Sequence, residues 1–295
     1  MTDRRVDIPA LEVLVAVADA GSLSAAAALL GLAQPNASRQ LARLERRLGA
    51  RLFDRGARGS TPTEAGRVAI EHARRVLDAS DALVENVHSA AGAGRIRVIA
   101  SQTLAEHHMP RFLAALAVDL PDAPVSFEVG NSAGVVEALR RGRADIGFVE
   151  GIEVPEGLSF RVVGRDRLVA VVAPEHPWAG RDTVTGDELA ASRLVLREEG
   201  SGTREALARA LAPRALAAPA LVVHSNTAVR AAVAGGRGCA VMSELAAAPA
   251  VAAGVLTAVP IDVPGTGRVL HAVWVGSLPT RLEHPLHAIT QVAVD

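Results

Sequence analysis

Apolar positions near the amino terminus predict two short helices that meet at a glycine. Apolar residues recur three and four positions apart behind a capping serine, at Leu23, Ala26, Ala27 and Leu30. Gly31 ends this helix, and the second begins at Gln34-Pro35, because proline is tolerated in a first helical turn. The small residues Ala27 and Ala37 allow close crossing, so the pattern is typical of a helix-turn-helix.

The polar positions of the second helix form an outward row that suits a DNA major groove. Glutamine and asparagine side chains can pair with adenine, arginine with guanine, and serine with bases or phosphates. From this row and from the start of the preceding helix we expect DNA contacts by Ser22, Ser24, Gln34, Pro35, Asn36, Ser38, Arg39 and Arg43.

Positive charge is concentrated on the same segment. Residues 39–58 hold seven arginines against Glu45 and Asp54, a net +5. The whole chain carries −1, so the remaining residues together carry −6. Taken alone, the cluster also fits a solvated basic face, but joined to the helix-turn-helix spacing it indicates phosphate binding.

Two further elements follow the basic segment. A Gly- and Arg-rich stretch over 55–60 predicts a short exposed hairpin, from which Arg55 or Arg58 can enter a minor groove. Beyond Pro62 a helical pattern of about thirty residues, roughly 40 Å long, has a heptad seam. The seam comprises Ala69, Ala73, Val76, Ser80, Leu83 and Val87. It favours a homodimer contact; the alternative is packing on this chain's own carboxy-terminal domain.

The chain resembles the LysR-type transcriptional regulators of bacteria. The resemblance is carried by residues 11–20, by GSLSAAAALLGLAQPNASRQLARLERRLGARLFDR over 21–55, and by TPTEAGR over 61–67. Asn36 and Ala37 depart from the family's usual small residue and branched aliphatic residue. Because these two positions lie on the DNA-reading helix, the operator sequence does not follow by analogy.

The resemblance implies an α/β protein with three parts. They are a winged helix-turn-helix over residues 1–66, a linker helix and hinge over 67–94, and a two-lobed effector-binding domain of periplasmic-binding-protein type over 95–295. Lobe I takes about 95–166 and 268–295, and lobe II about 167–267. The implied partners are a dyad-symmetric double-stranded operator, a small-molecule effector, further copies of the chain as a dimer or tetramer, and RNA polymerase.

Composition agrees with this organisation and excludes other classes. The 295 residues exceed one typical domain, and a single cysteine, Cys239, excludes an internal disulfide framework. Acidic residues interrupt the amino-terminal apolar stretch that a signal peptide would need, and no uninterrupted apolar run is long enough for a membrane span. We therefore expect a cytoplasmic protein with no membrane partner and no cofactor.

Beyond the glycine-rich hinge at 91–94, strand and helix patterns alternate. Strands are predicted over 95–100, 125–129, 145–149, 168–172, 194–196, 221–223, 239–242 and 268–275. Helices are predicted over 109–118, 135–141, 186–190, 204–211, 227–234 and 282–292. This alternation predicts parallel βαβ units in two lobes with a cleft between them.

Polar residues cluster where the predicted strands end, which is where such sheets bind ligands. The candidate effector residues are Ser101, Gln102, Thr103, Asn131, Ser132, Glu150, Ser201, Thr203, Asn226 and Thr227. Several of them precede helices, whose free N–H groups suit a carboxylate or phosphate, so an anionic metabolite is favoured. Each alone also fits a simple helix cap. Glu150 fits an anion pocket poorly; it can pair with an arginine, donate a hydrogen bond when protonated, or select a hydroxyl or cation.

Other chemistry has little support in the sequence. His107 and His108 are adjacent, so on a helix they do not share a face, and we expect no metal site. Ser101 has no identifiable triad partners, and the segment GSGTR over 200–204 lacks the lysine of a P-loop, so no catalytic residue is assigned. The leading hypothesis is an effector-modulated transcription regulator, not an enzyme. The alternative is a solute-binding or enzymatic α/β module fused to a DNA-binding domain.

Overall fold

The chain forms two compact units, residues 1–87 and 88–295. The computed structural model describes residues 6–56, 59–90, 94–151, 154 and 156–290. Its elements and pairings confirm the predicted fold class, an α/β chain with an amino-terminal helix-turn-helix.

The amino-terminal unit is a winged helix-turn-helix followed by a long helix. Its elements are α1 (Ile8–Ala20), α2 (Leu23–Leu29), α3 (Gln34–Leu48), β1 (Phe53–Gly56), β2 (Gly59–Pro62) and α4 (Glu64–Ala90). β1 and β2 pair in antiparallel register and form the predicted hairpin. Ser22 caps α2 by accepting the Ala25 N–H at 3.2 Å, and Gly21 turns the chain with a left-handed φ of 68°.

Apolar faces of the helices α1 to α4 enclose the core of this unit. Val13, Leu14 and Val17 of α1 are fully buried, and they pack with Leu41 and Leu44 of α3 in one cluster. The spacing also predicts an inward Leu48, but that side chain is 46% exposed. The difference arises because Leu48 ends α3 and lies at the rim of an open apolar groove.

The carboxy-terminal unit has two lobes. Lobe I contains β3 (Ile96–Ser101), α5 (Gln102–His107), α6 (Met109–Asp119), β4 (Val125–Gly130), α7 (Ser132–Arg140) and β5 (Ile146–Gly151). It is completed by the first part of β6 (Ser159–Val172), by β13 (Gly267–Trp274), by a 3-10 turn over Thr280–Leu282 and by α12 (Glu283–Thr290). Phe112, Phe148 and Leu270 lie in its fully buried core.

Lobe II begins within β6 and returns to lobe I at β13. It contains β7 (Val184–Thr185), α8 (Gly186–Ala191), β8 (Val195–Arg197), α9 (Gly202–Leu211) and β9 (Leu221–Val223). It continues with α10 (Asn226–Ala234), β10 (Ala240–Ser243), α11 (Glu244–Ala252), β11 (Thr257–Val259) and β12 (Ile261–Asp262). Two apolar clusters, one on each face of its strands, form the lobe's core.

The two lobes share one sheet because β6 pairs in both. In the described residues the strands run in the order β4-β3-β5-β13-β6-β10-β8-β9, with β11 also on β6. The expectation of parallel units holds for β3 with β4 and β5, and for β8 with β9 and β10. It is wrong for β6 and β13, which pair antiparallel with each other and with their lobe neighbours. They are antiparallel because they carry the chain between the lobes in opposite directions.

Within the described residues, no single helix is long and apolar enough to cross a membrane. The bent pair α1 and α2, whose axes differ by 118°, has the length and composition of a span and is the one such pair in the part of the chain that the structure describes. Most of the apolar residues of that pair belong to the core of the winged helix-turn-helix, while Leu29 is exposed.

Candidate DNA interface and effector cleft

Most of the predicted DNA-contacting row lies on the open surface of α3. Gln34, Pro35, Asn36, Arg39 and Arg43 are exposed, and Ser38 is half-buried. Asn36 accepts a hydrogen bond from the guanidinium of Arg39 one turn later, so the two side chains are held together. An amide and a guanidinium side by side present both donors and acceptors, as reading base edges requires.

The remaining DNA candidates lie around α2 and the hairpin. Ser22 is half-buried and acts as the cap of α2, while Ser24 is exposed in its first turn. Arg55 belongs to β1, but its side chain and the whole of Arg58 lie outside the described residues. Arg43 is 3.5 Å from Asp7, a carboxylate that competes with phosphate for this guanidinium.

An apolar groove of 990 Å³ runs between α4 and the body of the winged helix-turn-helix. Part of the predicted heptad seam closes onto the chain's own core, because Ala73 is buried there and Ala69 packs beside it. Val68 and Val76 line the groove and remain about half exposed, and Leu83, further along α4, is 65% exposed. The outer stripe of α4 is therefore apolar and open in the protomer.

In the carboxy-terminal unit the amino ends of α5, α7 and α9 meet around the buried side chain of Glu150. Ser101, before α5, donates to its carboxylate, and Thr103 Oγ1 lies 3.4 Å from its Oε1. Ser132, the first residue of α7, donates to the Glu150 carbonyl at 3.5 Å. Gly202, the first residue of α9, packs against the same carbonyl from lobe II.

The cation beside Glu150 is an arginine on a strand that crosses between the lobes, and the sequence patterns do not single it out. Arg268, at the start of β13, has a fully buried side chain and lies 3.7 Å from Glu150 Oε1 through Nη1. The same Nη1 donates to Thr203 Oγ1 at 3.0 Å, and Nε donates to Asp166 Oδ2 at 2.7 Å. Of the alternatives open for Glu150, pairing with an arginine is the one that the geometry shows.

A second polar cluster joins the lobes beside the first. Asn131 caps α7 by accepting the Gly134 N–H at 2.9 Å, and its Nδ2 lies 3.3 Å from Glu198 Oε1 in lobe II. Arg197 forms a two-fold ion pair with Glu198 and donates to Asn226 Oδ1 at 2.9 Å. Burial alone would raise the pKa of Glu198, but the Arg197 guanidinium, a backbone N–H and the Asn131 amide together lower that pKa.

Several buried polar atoms in this region have no hydrogen-bond partner among the described residues. They are Ser201 Oγ, Asn226 Nδ2, Arg268 Nη2 and Asp166 Oδ1. Buried polar groups are nearly always satisfied, so a group of atoms without partners favours a place where a ligand or water binds. Of the two other predicted residues, Gln102 is half-buried at the start of α5, and exposed Thr227 accepts from Arg230 at 3.0 Å.

A cavity of 270 Å³ opens beside Glu150 between α7 and α9. Ser132, Val149 and Gly202 form part of its lining, and Arg140 and Arg209 stand at its exposed side. The cavity shares Ser132, Glu150 and Gly202 with the polar cluster. Its size suits a small metabolite more than a polymer.

The remaining candidate groups are His107, His108 and Cys239, and burial determines the protonation of all three. Burial lowers the pKa of His107 and of His108, which keeps both imidazoles uncharged near neutral pH. Burial raises the pKa of the Cys239 thiol, as expected for a core cysteine. Over the described ranges, no three His, Cys, Asp or Glu side chains are placed to hold a metal ion.

Replacing Gly202 with Ala tests the closed contact between α9 and β5. A Cβ there would lie 2.5 Å from the Glu150 carbonyl oxygen and 2.6 Å from Ser132 Oγ. We expect overpacking to destabilise the domain by about 1 to 3 kcal/mol in denaturant unfolding. Gly180→Ala in lobe II, with open space around its Cβ position, is the control. Equal stability of the two variants would mean that the lobes do not close this contact in solution.

These features define a class: a helix-turn-helix DNA-binding domain joined to a two-lobed ligand-binding domain. Residues 8–67 match the bacterial regulatory helix-turn-helix domain of the LysR family, and residues 89–284 match the LysR substrate binding domain. The chain belongs to the LysR family of bacterial transcriptional regulators. This confirms the resemblance predicted from the sequence.

Individual relatives agree with the assignment. An HTH-type transcriptional regulator of Mycobacterium tuberculosis H37Rv is 43% identical over 94% of this chain and 93% of its own. The LysR family regulator CbnR, solved full-length with its target DNA, has the same fold, with a TM-score of 0.66, 23% identity and coverage of 98% and 100%. The regulatory domain of Synechocystis CcmR, solved with 2-PG, gives a TM-score of 0.61 and 25% identity over 68% of this chain and 98% of its own.

Proposed function

We propose that α3 reads an operator through the major groove and that a small anionic metabolite bound in the cleft around Glu150 modulates this binding. The observation that carries the proposal is the group of buried, unsatisfied polar atoms at the junction of the lobes. Helix amino ends add a positive dipole field to the same point, and an anion is the ligand that such a field favours.

The cleft offers neutral hydrogen-bond donors to an anion, although Glu150 is itself a carboxylate. The Glu150 carboxylate is held by two hydroxyl groups and lies beside the Arg268 guanidinium. Ser201 Oγ and Asn226 Nδ2 remain as neutral donors for ligand oxygens. CcmR, which shares this fold, was solved with 2-PG, and that precedent supports a small-molecule effector here.

We further propose that the chain works as a dimer, or as a tetramer built from dimers, through the open stripe of α4. The groove beside α4 is apolar and includes Val76, and Leu83 is exposed seven residues further along the same helix. An exposed apolar surface of this kind marks an interaction site, and a second α4 offers a complementary one. The two DNA-binding domains of such a dimer then match the two half-sites of a dyad-symmetric operator.

The alternative function is turnover or transport in the cleft. Ser101, the only hydroxyl considered as a nucleophile, donates to a carboxylate and not to an imidazole. We therefore propose binding without turnover, in the cytoplasm and without a cofactor. Footprinting with and without a metabolite mixture separates the two functions. A ligand-dependent change in a dyad-symmetric footprint supports regulation, while conversion of a metabolite with no effect on DNA would contradict it.

Arg39→Ala tests the reading role of α3. Loss of one base contact is expected to cost about 1 to 3 kcal/mol of operator affinity and to relax preference at one base pair. Fluorescence anisotropy on the operator and on single-base variants measures both effects. Arg237→Ala, an exposed arginine outside this domain, is the control. An equal loss on all sequences would demote Arg39 to a phosphate contact.

A further inference from the structure

The chain passes between the two lobes on β6 and β13, and a buried ion pair joins these strands at the crossing point. β6 pairs with β13 up to Arg167 and with the lobe II strand β10 from Leu168 onward. Asp166 and Arg268 lie directly opposite each other in the register just before that change. Both side chains have no exposed surface. The pair therefore sits where any rotation of one lobe against the other must bend the backbone.

The guanidinium of Arg268 also reaches both walls of the cleft. Its Nη1 donates to Thr203 in the first turn of the lobe II helix α9 and faces Glu150 at the end of the lobe I strand β5. One rigid, planar group thus contacts the crossing strands, lobe I and lobe II together. A planar fork fixes the relative position of its partners in a way that a flexible ammonium does not.

The ion pair of Asp166 and Arg268 leaves one nitrogen and one oxygen atom without a hydrogen bond in the described residues. Arg268 Nη2 lies 2.7 Å from Asp166 Oδ2 but has no hydrogen bond in the described residues, and neither has Asp166 Oδ1. The neighbouring His107 and His108 are uncharged at neutral pH, so they do not neutralise Asp166. Arg268 consequently lies between the buried carboxylates of Asp166 and Glu150 at the junction and offsets one of their two negative charges.

We propose that Arg268 is a positioning residue that couples the effector cleft to the crossing strands. Asp166 orients the guanidinium, and the guanidinium aligns Thr203 with Glu150 so that the lobes hold a closed cleft. This inference rests on the proposed function, because it takes those residues to be the effector site. A ligand oxygen that competes for the guanidinium would then change the lobe arrangement directly.

The distance between the lobes tests the proposal without any ligand. Spin labels are attached to Arg140→Cys on α7 and Arg209→Cys on α9 in full-length Cys239→Ser protein, and double electron–electron resonance gives their separation. Both labelled positions are exposed and belong to different lobes. Arg268→Lys keeps the buried positive charge but loses the planar fork, so we expect a shift to longer distances. Asp166→Asn, which frees the guanidinium, is expected to give the same shift.

Arg97→Lys is the matched control. Arg97 and Asp145 form a partly buried ion pair in lobe I, 2.7 Å apart, at the amino ends of β3 and β5 and so away from the cleft. A merely structural role for Arg268 predicts a loss of thermal stability like that of Arg97→Lys, with unchanged label distances, and this would overturn the proposal. Equal lengthening in the control would overturn it as well. Because no effector is added, a footprint that never responds to metabolites would refute the proposed function and leave this result standing.

Discussion

Val76→Asp together with Leu83→Asp is expected to halve the mass of the protein in solution and to lower operator affinity at least about a hundredfold. The two side chains are 45% and 65% exposed on α4, so the charges do not disturb the protomer's own core. In a dimer they would place four carboxylates in an apolar seam, where unpaired charges are costly to bury. Two linked DNA-binding domains gain about 10²- to 10⁴-fold in operator affinity from effective concentration, and separation of the protomers removes that gain.

Light scattering and anisotropy on a two-half-site operator measure the two effects. Val255→Asp, an exposed valine of lobe II, carries the same change away from α4 and should leave mass and affinity as they are. Circular dichroism establishes that the helix content of the double variant is kept. A double variant that retains the parent mass would show that α4 does not hold the protomers together, and the apolar groove would need another occupant.

Local patterns predict the helix-turn-helix well because each of its determinants acts over a few residues. Ser22 caps α2 three residues before the amide it bonds, and Pro35 lies in the first turn of α3. The burial of the heptad seam on α4 is harder to predict. Heptad spacing alone could not tell that Ala73 packs on the chain's own core while Val76 and Leu83 stay open, since that depends on how α4 docks onto α1 and α3.

The missed elements have weak local signals. α5 has only six residues and follows β3 without a loop, and α11 contains Pro249 within an almost uniformly apolar run that shows no period. The first part of β6 reads SFRVVGRDR, where charged residues interrupt the apolar run that marks other strands. These stretches depend on their neighbours in the fold more than on their own propensity.

The polar residues around Glu150 likewise include some that local patterns predict and some that they do not. The positions of Ser101, Ser132 and Thr203 could be predicted because polar residues at helix starts beyond strands are a local feature, and their part in effector binding stays a prediction. Arg268 and Asp166 could not, because they are 102 residues apart and meet only once β6 and β13 pair. The one hint was a charged residue at the start of an otherwise apolar strand, at Arg268. Buried charges without a local partner therefore point to long-range contacts that a single sequence does not reveal.

Glu150→Gln is expected to tighten the binding of an anionic effector about a hundredfold. The amide keeps the shape of the side chain and an oxygen that can accept from Ser101 and Thr103, but it removes a buried negative charge at the meeting point of three helix amino ends. Two unit charges about 5 Å apart at an effective dielectric of about 20 repel by roughly 3 kcal/mol, which corresponds to that factor. Arg268 would also lose a competing carboxylate and become available to the ligand.

Calorimetric titration with the compound that alters the footprint decides the charge of the effector. Thr103→Val should weaken the effect of the effector on the footprint and leave DNA binding intact, because it removes one donor to Glu150.

For the Glu150 prediction, Glu205→Gln is the control for a general change of electric field. Glu205 is an exposed carboxylate at the cavity's open side, and screening by solvent should keep its effect on effector affinity below about threefold. If Glu150→Gln instead loses affinity by about tenfold or more, the carboxylate must itself bind a hydroxyl or ammonium group of the ligand, since hydrogen bonds to charged groups contribute about 1.5 to 3 kcal/mol.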